Sequence, residues 1–466
     1  MNSNGNSLKS ENNLPKNSDA QLTSPEINEE TTSKLPAVLR AFRHRNYRLF
    51  FFGQLVSLSG TWMQSVAQSW LVYKLTGSAV LLGFVGFSNQ IPVFLLASFG
   101  GAIADKYNRH RILIFTQTAA MILAFVLALL TLTNLIQIWH IFTIAALLGV
   151  ANAFDIPTRQ AFITDMVGRE DLINAIALNS SMFNGARIVG PAIAGILVGA
   201  VGEGWAFLGN AISYIAVITG LLLMTIKIEK RAPVKGSALQ NIAEGFSFVA
   251  RTAPVRALLL LLGFVSLIGT PYSVLMPIFA DQILTAGASG LGILMGASGV
   301  GALAGAITLA MRKSINGLGY WVALASVGFG ASLILFSLSA SFWLSALLLV
   351  PVGFFMMIQM ASSNTLVQSM VPDELRGRVM AVYSMMFMGM APFGALIAGS
   401  IASNLGAPLT VRIGGAVCIL GALVFALRLP VLREEARQII IGLRMNAGEP
   451  PEEVIGQTAV LAPKNS

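Results

Sequence analysis

Three charged residues stand where charge is costly. Asp155, Arg159 and Arg187 fall inside long apolar runs, and a charge deep in a bilayer costs at least about 2.5 kcal/mol even on the mildest insertion scale. A carboxylate one helical turn from a guanidinium can exchange a proton as its surroundings change. A further guanidinium can attract an anion or reset the carboxylate. The plainer reading is a static ion pair among Asp155, Arg159 and Arg187 that only holds helices together. Counted from Trp139 and Gly199 at 1.5 Å per residue, Asp155 and Arg187 differ in depth by roughly 6 Å, so on adjacent antiparallel helices they are expected to meet. Pro157, between Asp155 and Arg159, is a candidate bend.

A second cluster of chemistry-bearing residues stands at a boundary. In FGGAIADKYNRHRIL, from Phe99 to Leu113, Gly101, Asp105 and Arg109 separate two uncharged runs. An aspartate here can cap the amino end of a helix, where the dipole favours an anion. Arg376, Gly377 and Arg378 mark one such end, and Arg109 has a candidate partner in Asp165. Such contacts, made in one state and broken in another, are the parts of a gate. A solvated turn that orients the chain by charge alone is the bland alternative.

The elements that must position these residues are membrane helices. The 466-residue chain is 55% hydrophobic and 11% charged, with a mean hydropathy of +0.73, where soluble domains carry about 25% charged residues. Apolar runs long enough to cross a bilayer fall near 47–73, 79–104, 111–132, 138–165, 172–201 and 205–226. Six more fall near 255–282, 287–311, 318–338, 342–370, 377–402 and 408–428. The fold class is therefore an all-α membrane protein of twelve transmembrane helices. Sliding the chain by 204 positions lays Glu170, Ala177, Ser180, Phe183, Gly185, Gly190 and Gly195 on Glu374, Ala381, Ser384, Phe387, Gly389, Gly394 and Gly399. Two pseudo-symmetric six-helix halves follow, an arrangement used by secondary transporters. Ala391 stands where Arg187 would repeat, so the buried charge is concentrated in the first half.

The expected organisation is a disordered cytoplasmic tail over 1–36, a first half over 37–226, a cytoplasmic linker over 227–254, a second half over 255–430 and a cytoplasmic tail over 431–466. Arg40, Arg43, Arg45, Arg48, Lys106, Arg109, Arg111, Arg169, Arg312, Lys313, Arg376, Arg378, Arg433 and Arg437 all fall on one side of the twelve spans, against Lys74, Glu203, Asp281 and Arg412 on the other. The positive-inside bias then puts both termini in the cytoplasm. The net charge of +9 is explained by orientation and not by nucleic acid. The single cysteine, Cys418, excludes internal disulfides, and three scattered histidines offer no metal-ligand spacing, so no metal or cofactor is expected. No G-x-x-x-x-G-K-[ST] loop occurs, so the chain carries no ATPase of its own.

Gly101-x-x-x-Asp105-Lys106-x-x-Arg109-x-Arg111 resembles the G-x-x-x-D-R-x-G-R-R signature of the major facilitator superfamily. Asn108 replaces the usual Gly, and asparagine tolerates a left-handed backbone better than most residues. Ala186-x-x-x-Gly190-Pro191-x-x-Ala194-Gly195 looks like the motif of drug and proton antiporters. FRHRNYRLFFFGQLVSLSG, ANAFDIPTRQAFITDMVGRE and VPDELRGRVMAVYSM are similar to the branch of enterobactin exporters and macrolide efflux proteins. The resemblance implies the major facilitator fold and a monomeric, non-enzymatic exporter in a bacterial plasma membrane. Such an exporter works by alternating access, moving an amphipathic small molecule, siderophore or drug-like, against protons. A lipid or lysophospholipid flippase and a non-transporting sensor of the same fold are the rivals. Cavity-lining candidates are Gln64, Gln68, Asn89, Gln90, Asn152, Asn184, Gln359 and Asn364, with interhelical hydrogen bonding as their plainer use. Trp62, Trp70, Phe183, Tyr272, Tyr383 and Phe387 offer aromatic surface. Gly185, Gly190, Pro191, Gly195 and Gly394 are expected to let helices pack closely.

Overall fold

The computed structural model describes residues 37–168, 170–225, 238–312 and 314–446. The terminal stretches, Arg169, Lys313 and the first part of the linker lie outside the described residues. The first half contains α1 (Arg45–Thr76), α2 (Ala79–Lys106), α3 (Arg109–Leu132), α4 (Ile138–Val167), α5 (Leu172–Val201) and α6 (Glu203–Leu222). A linker helix, α7 (Ala238–Arg251), leads into the second half. There α8 (Ala253–Ile283), α9 (Gly287–Ala310), α10 (Leu318–Leu338), α11 (Phe342–Ser369), α12 (Asp373–Leu405) and α13 (Ala407–Asn446) complete twelve spans. Eleven of these are long and apolar enough to cross a membrane. The remaining one, α1, has 32 residues but dilutes its apolarity with Gln54, Ser57, Gln64 and Gln68, all buried inside the half.

Three elements depart from the simple spans. Past Ile268, α8 turns through a tight 3-10 segment, Thr270–Leu275, and a wide turn, Phe279–Ile283. Pro271 and Pro277 lack the N–H that a regular helix needs there. The last helix does not stop near 430, where a tail was expected, but runs unbroken to Asn446. Its extension carries the pairs Glu434–Arg437 and Glu434–Gln438 at helical spacing and packs Leu432, Ala436, Ile439 and Ile440 against the core. Pro157 leaves α4 continuous from Ile138 to Val167.

The sequence repeat reappears as packing. A Cβ at Gly190 would fall 2.5 Å from the Trp62 Cβ on α1, and one at Gly394 would fall 2.1 Å from the Leu267 carbonyl on α8. These matched glycines each join neighbouring helices within their own half. The next matched pair joins the halves: Gly195 meets Ser289 and Gly292 on α9, and Gly399 meets Ala79 on α2. Between the halves α5 packs on α9 and α2 packs on α12, a pseudo-twofold arrangement. Small residues there let backbones touch.

The seal is one-sided. Cross-half contacts gather toward the ends of α2, α5, α9 and α12 remote from the basic loops, and two hydrogen bonds reinforce them. Tyr73 donates to Asp281 at 2.8 Å and Ser289 to the Gly195 carbonyl at 3.1 Å. Toward the basic end, positions 101, 185 and 377 face open space, with nothing within 4 Å of a Cβ. Gly185 was expected to pack a helix and does not: nothing lies within 4 Å of a Cβ there. The protein is thus closed at one face and open at the basic face.

At the basic face a short helix, Ala37–Arg43, straps the first half. Asp171, fully buried before α5, takes Arg43 Nε at 2.6 Å and His44 Nε2 at 2.9 Å, with Arg40 at 3.9 Å. Tyr47 donates to the Ala175 carbonyl at 2.9 Å. Burial pushes the Asp171 carboxyl upward, but the His44 hydrogen bond and the charge of Arg43 outweigh it, so the group lies below the usual carboxylate range. A carboxyl depressed on folding stabilises the fold above its unfolded value, near 4, and that contribution is lost as pH falls through the folded value. Asp171→Asn is expected to cost about 1 to 3 kcal/mol at neutral pH. The thermal-unfolding gap to wild type should close below about pH 4, and an equal gap at both pH values would contradict the clamp.

Candidate functional site

The buried carboxylate of Asp155 is the best-furnished polar centre of the first half. Its Oδ1 accepts from Thr116 Oγ1 at 3.0 Å and Gln117 Nε2 at 2.7 Å, both on α3. Its Oδ2 lies 3.5 Å from Arg159 Nε, one turn along α4. Gln54, Ser57 and Thr61 of α1, Asn152 of α4 and Tyr214 of α6 complete the lining of a cavity of about 40 Å³. A water needs roughly 10–15 Å³ of such space, whereas drug-sized ligands occupy pockets of about 300–1,000 Å³. The cavity can hold water beside the carboxylate, and it is too small for a substrate.

Arg187 does not join it. Helices α4 and α5 follow each other in the chain but touch only slightly: α4 lies mainly against α2 and α3, and α5 mainly against α1 and α9. The expected Asp155–Arg187 pair therefore fails, because depth was matched while direction around the helix axis was not. Arg187 instead places its guanidinium 5.7 Å from the Trp62 ring centre, and Gly299 of α9 packs against its backbone carbonyl. It faces the junction of the halves.

The charged loop between α2 and α3 is held within the first half. Arg109 donates to Asp105 at 3.0 Å and approaches Asp165 at 3.4 Å, and it also donates to the Ala161 carbonyl at 2.9 Å. The Arg109–Asp165 pair, expected as a contact of the closed gate, is present here with the basic face open, so it does not mark the closed state. Asp105 does not reach the start of α12: there Arg376 pairs with Asp373 at 2.5 Å and Arg378 with Glu244 of α7. Glu244 was not singled out in the sequence, since an acid on an amphipathic linker helix looks like ordinary solvated charge. Asn108 has φ −67° and its side chain caps α3, so this position needs no left-handed backbone.

The profile of a family described as transmembrane secretion effector, a branch of the major facilitator superfamily, matches residues 37–454. The chain belongs to this family. It is similar to the staphyloferrin A transporter of Staphylococcus aureus, 26% identical over 81% of the chain and 95% of that protein. The multidrug efflux pump Tap of Mycolicibacterium fortuitum is 26% identical over 83% and 96%. The enterobactin exporter EntS of Shigella boydii is 23% identical over 85% and 93%. The solved nucleoside transporter NupG has the same fold, with a TM-score of 0.65 at 16% identity over 82% of this chain and 99% of that one. The protein is a multi-pass membrane transporter and not an enzyme.

The remaining polar candidates of this transporter fall into separate groups. Gln64 is interhelical glue, accepting from Asn210 of α6 at 2.6 Å. Asn184 bonds back to the Ser180 carbonyl at 2.9 Å, and Asn364 accepts from Gln368 at 2.6 Å on its own helix. Asn152 lines the Asp155 cavity. Gln68 is buried and Asn89 and Gln90 are half-buried, with no side-chain bond among those assigned. Thr116, Gln117 and Tyr214 were missed as site residues, because a hydroxyl or amide on an apolar helix reads as background until its neighbour is known.

Proposed function

We propose that the protein exports an amphipathic small molecule in exchange for protons, with Asp155 as the proton-exchanging group and the basic face toward the cytoplasm. The observation that carries this reading is the Asp155 carboxylate, buried in a small cavity among four first-half helices yet supplied with Thr116 and Gln117 as donors and Arg159 as an ion-pair partner. A charge kept in such a place at such cost is usually functional. The relatives carry the names of siderophore and drug exporters, which supports outward transport of a molecule in that range. The basic loops gathered on the open face support cytoplasmic termini, and the opening then faces the cell interior.

Closing the basic face brings Asp105 to the start of α12. There it takes the helix end beside Arg376 and Arg378, while Arg109 stays with Asp165. Arg378 leaves Glu244 as Asp105 arrives, so closure exchanges one ion pair for another and costs little net charge burial. Rocking between the two faces is a two-state change of the kind that interface contacts make abrupt.

Two measurements test this. In proteoliposomes Asp155→Asn should abolish substrate movement driven by a pH gradient while substrate still binds; full gradient-driven transport by this variant would rule out the mechanism. Asp105→Asn should insert at wild-type levels yet slow efflux several-fold, because the state closed at the basic face loses its anion. Wild-type efflux at normal protein level would remove the gate.

A further inference from the structure

Arg187 is a guanidinium without an acid. No Asp or Glu pairs with it among the described residues, and the carboxylate expected to do so, Asp155, is engaged by Arg159, Thr116 and Gln117 in a separate cavity. Arginine stays charged at any physiological pH and presents five N–H donors in a planar fork. Its surroundings are aromatic. Trp62 lies under the guanidinium at 5.7 Å, and Phe183 meets Trp62 edge-on at 5.8 Å. From the second half Gly299 of α9 packs against the Arg187 carbonyl, and the residue before it, Ser298, bonds the Tyr272 hydroxyl at 2.9 Å. Tyr272 belongs to the 3-10 segment where α8 is interrupted, and interrupted helices at membrane depth are tolerated where they line a cavity.

Building on the transport reading above, we propose that Arg187 is the anion-reading subsite for the transported molecule. It takes a carboxylate, or a planar acidic group of like geometry, attached to an apolar or aromatic body. The fork matches a carboxylate through two parallel hydrogen bonds. Trp62, Phe183 and Tyr272 take the body by aromatic contact. The acid that no described residue supplies is thus brought by the cargo, and Ala391 at the matched position of the second half makes the site single and its binding asymmetric. Because Arg187 is on the helix that touches α9 across the halves, an anion there also bears on the contact about which the halves rock.

The test is equilibrium binding to the full chain in nanodiscs of neutral lipid, with no proton gradient. The probes are 2-naphthoate and its uncharged analogue 2-naphthamide, followed by titration calorimetry in gluconate buffer. The acid should bind at least tenfold more tightly than the amide. Arg187→Gln should erase that preference, and Arg187→Lys, which keeps the charge and loses the fork, should retain part of it. Trp62→Leu should weaken both probes alike. Equal binding of the two probes by wild type, binding of neither, or an undiminished preference in Arg187→Gln would overturn the proposal. A preference that collapses when chloride replaces gluconate would also overturn it, assigning the guanidinium to an inorganic counter-ion. No gradient is present, so this result stands apart from the fate of proton coupling at Asp155.

Discussion

A charge inside a bilayer has to be met by partners, and most of what distinguishes this protein follows from how that demand is satisfied. Around Asp155 it is met fully, by two donors from α3 and a guanidinium from its own helix. Among the described residues Arg187 is met by the Trp62 ring and by no acid. One group is thus enclosed by polar partners, and the other lies against aromatic surface. The second half copies the positions without the charge: Gln359 stands 204 residues after Asp155 and Ser363 after Arg159. Both are buried, and Gln359 Nε2 and Ser363 Oγ have no hydrogen-bond partner among the described residues. The halves share an architecture and divide the chemistry unequally.

The repeat matters for motion as well as for ancestry. Matched glycines do matched jobs, Gly190 and Gly394 inside the halves and Gly195 and Gly399 between them. The inner pair keeps each six-helix unit rigid. The outer pair brings backbones of the two halves together, Gly195 against α9 and Gly399 against α2. With the far face sealed, the loop of Asp105 and Arg109 rests within its own half, and α7 holds Arg378. Both charged ends thus have partners of their own in this arrangement.

The architecture was legible because it repeats two signals many times: apolar length and the 204-residue period. Even α1, more polar than the other spans, was placed as an apolar run near 47–73. The pair Asp155–Arg159 was legible as an i,i+4 spacing, and Arg109–Asp165 as opposite charges at one membrane face. What escaped were contacts set by rotation about helix axes. Depth can be counted in residues, but which neighbour a side chain meets depends on which helices pack, and α5 turns Arg187 toward α1 and the second half. The donors on α3 escaped for the same reason. The long α13 escaped because charged residues after 430 read as tail until their mutual pairing and packing are seen.

The central claim is that the protonation of Asp155 changes as the protein works. Infrared difference spectroscopy on the full chain in lipid, recorded on substrate addition and on a change of pH, reads that directly. The account predicts conversion between carboxyl and carboxylate in wild type that is missing in Asp155→Asn and kept in Asp165→Asn. Identical difference spectra for wild type and Asp155→Asn would contradict it.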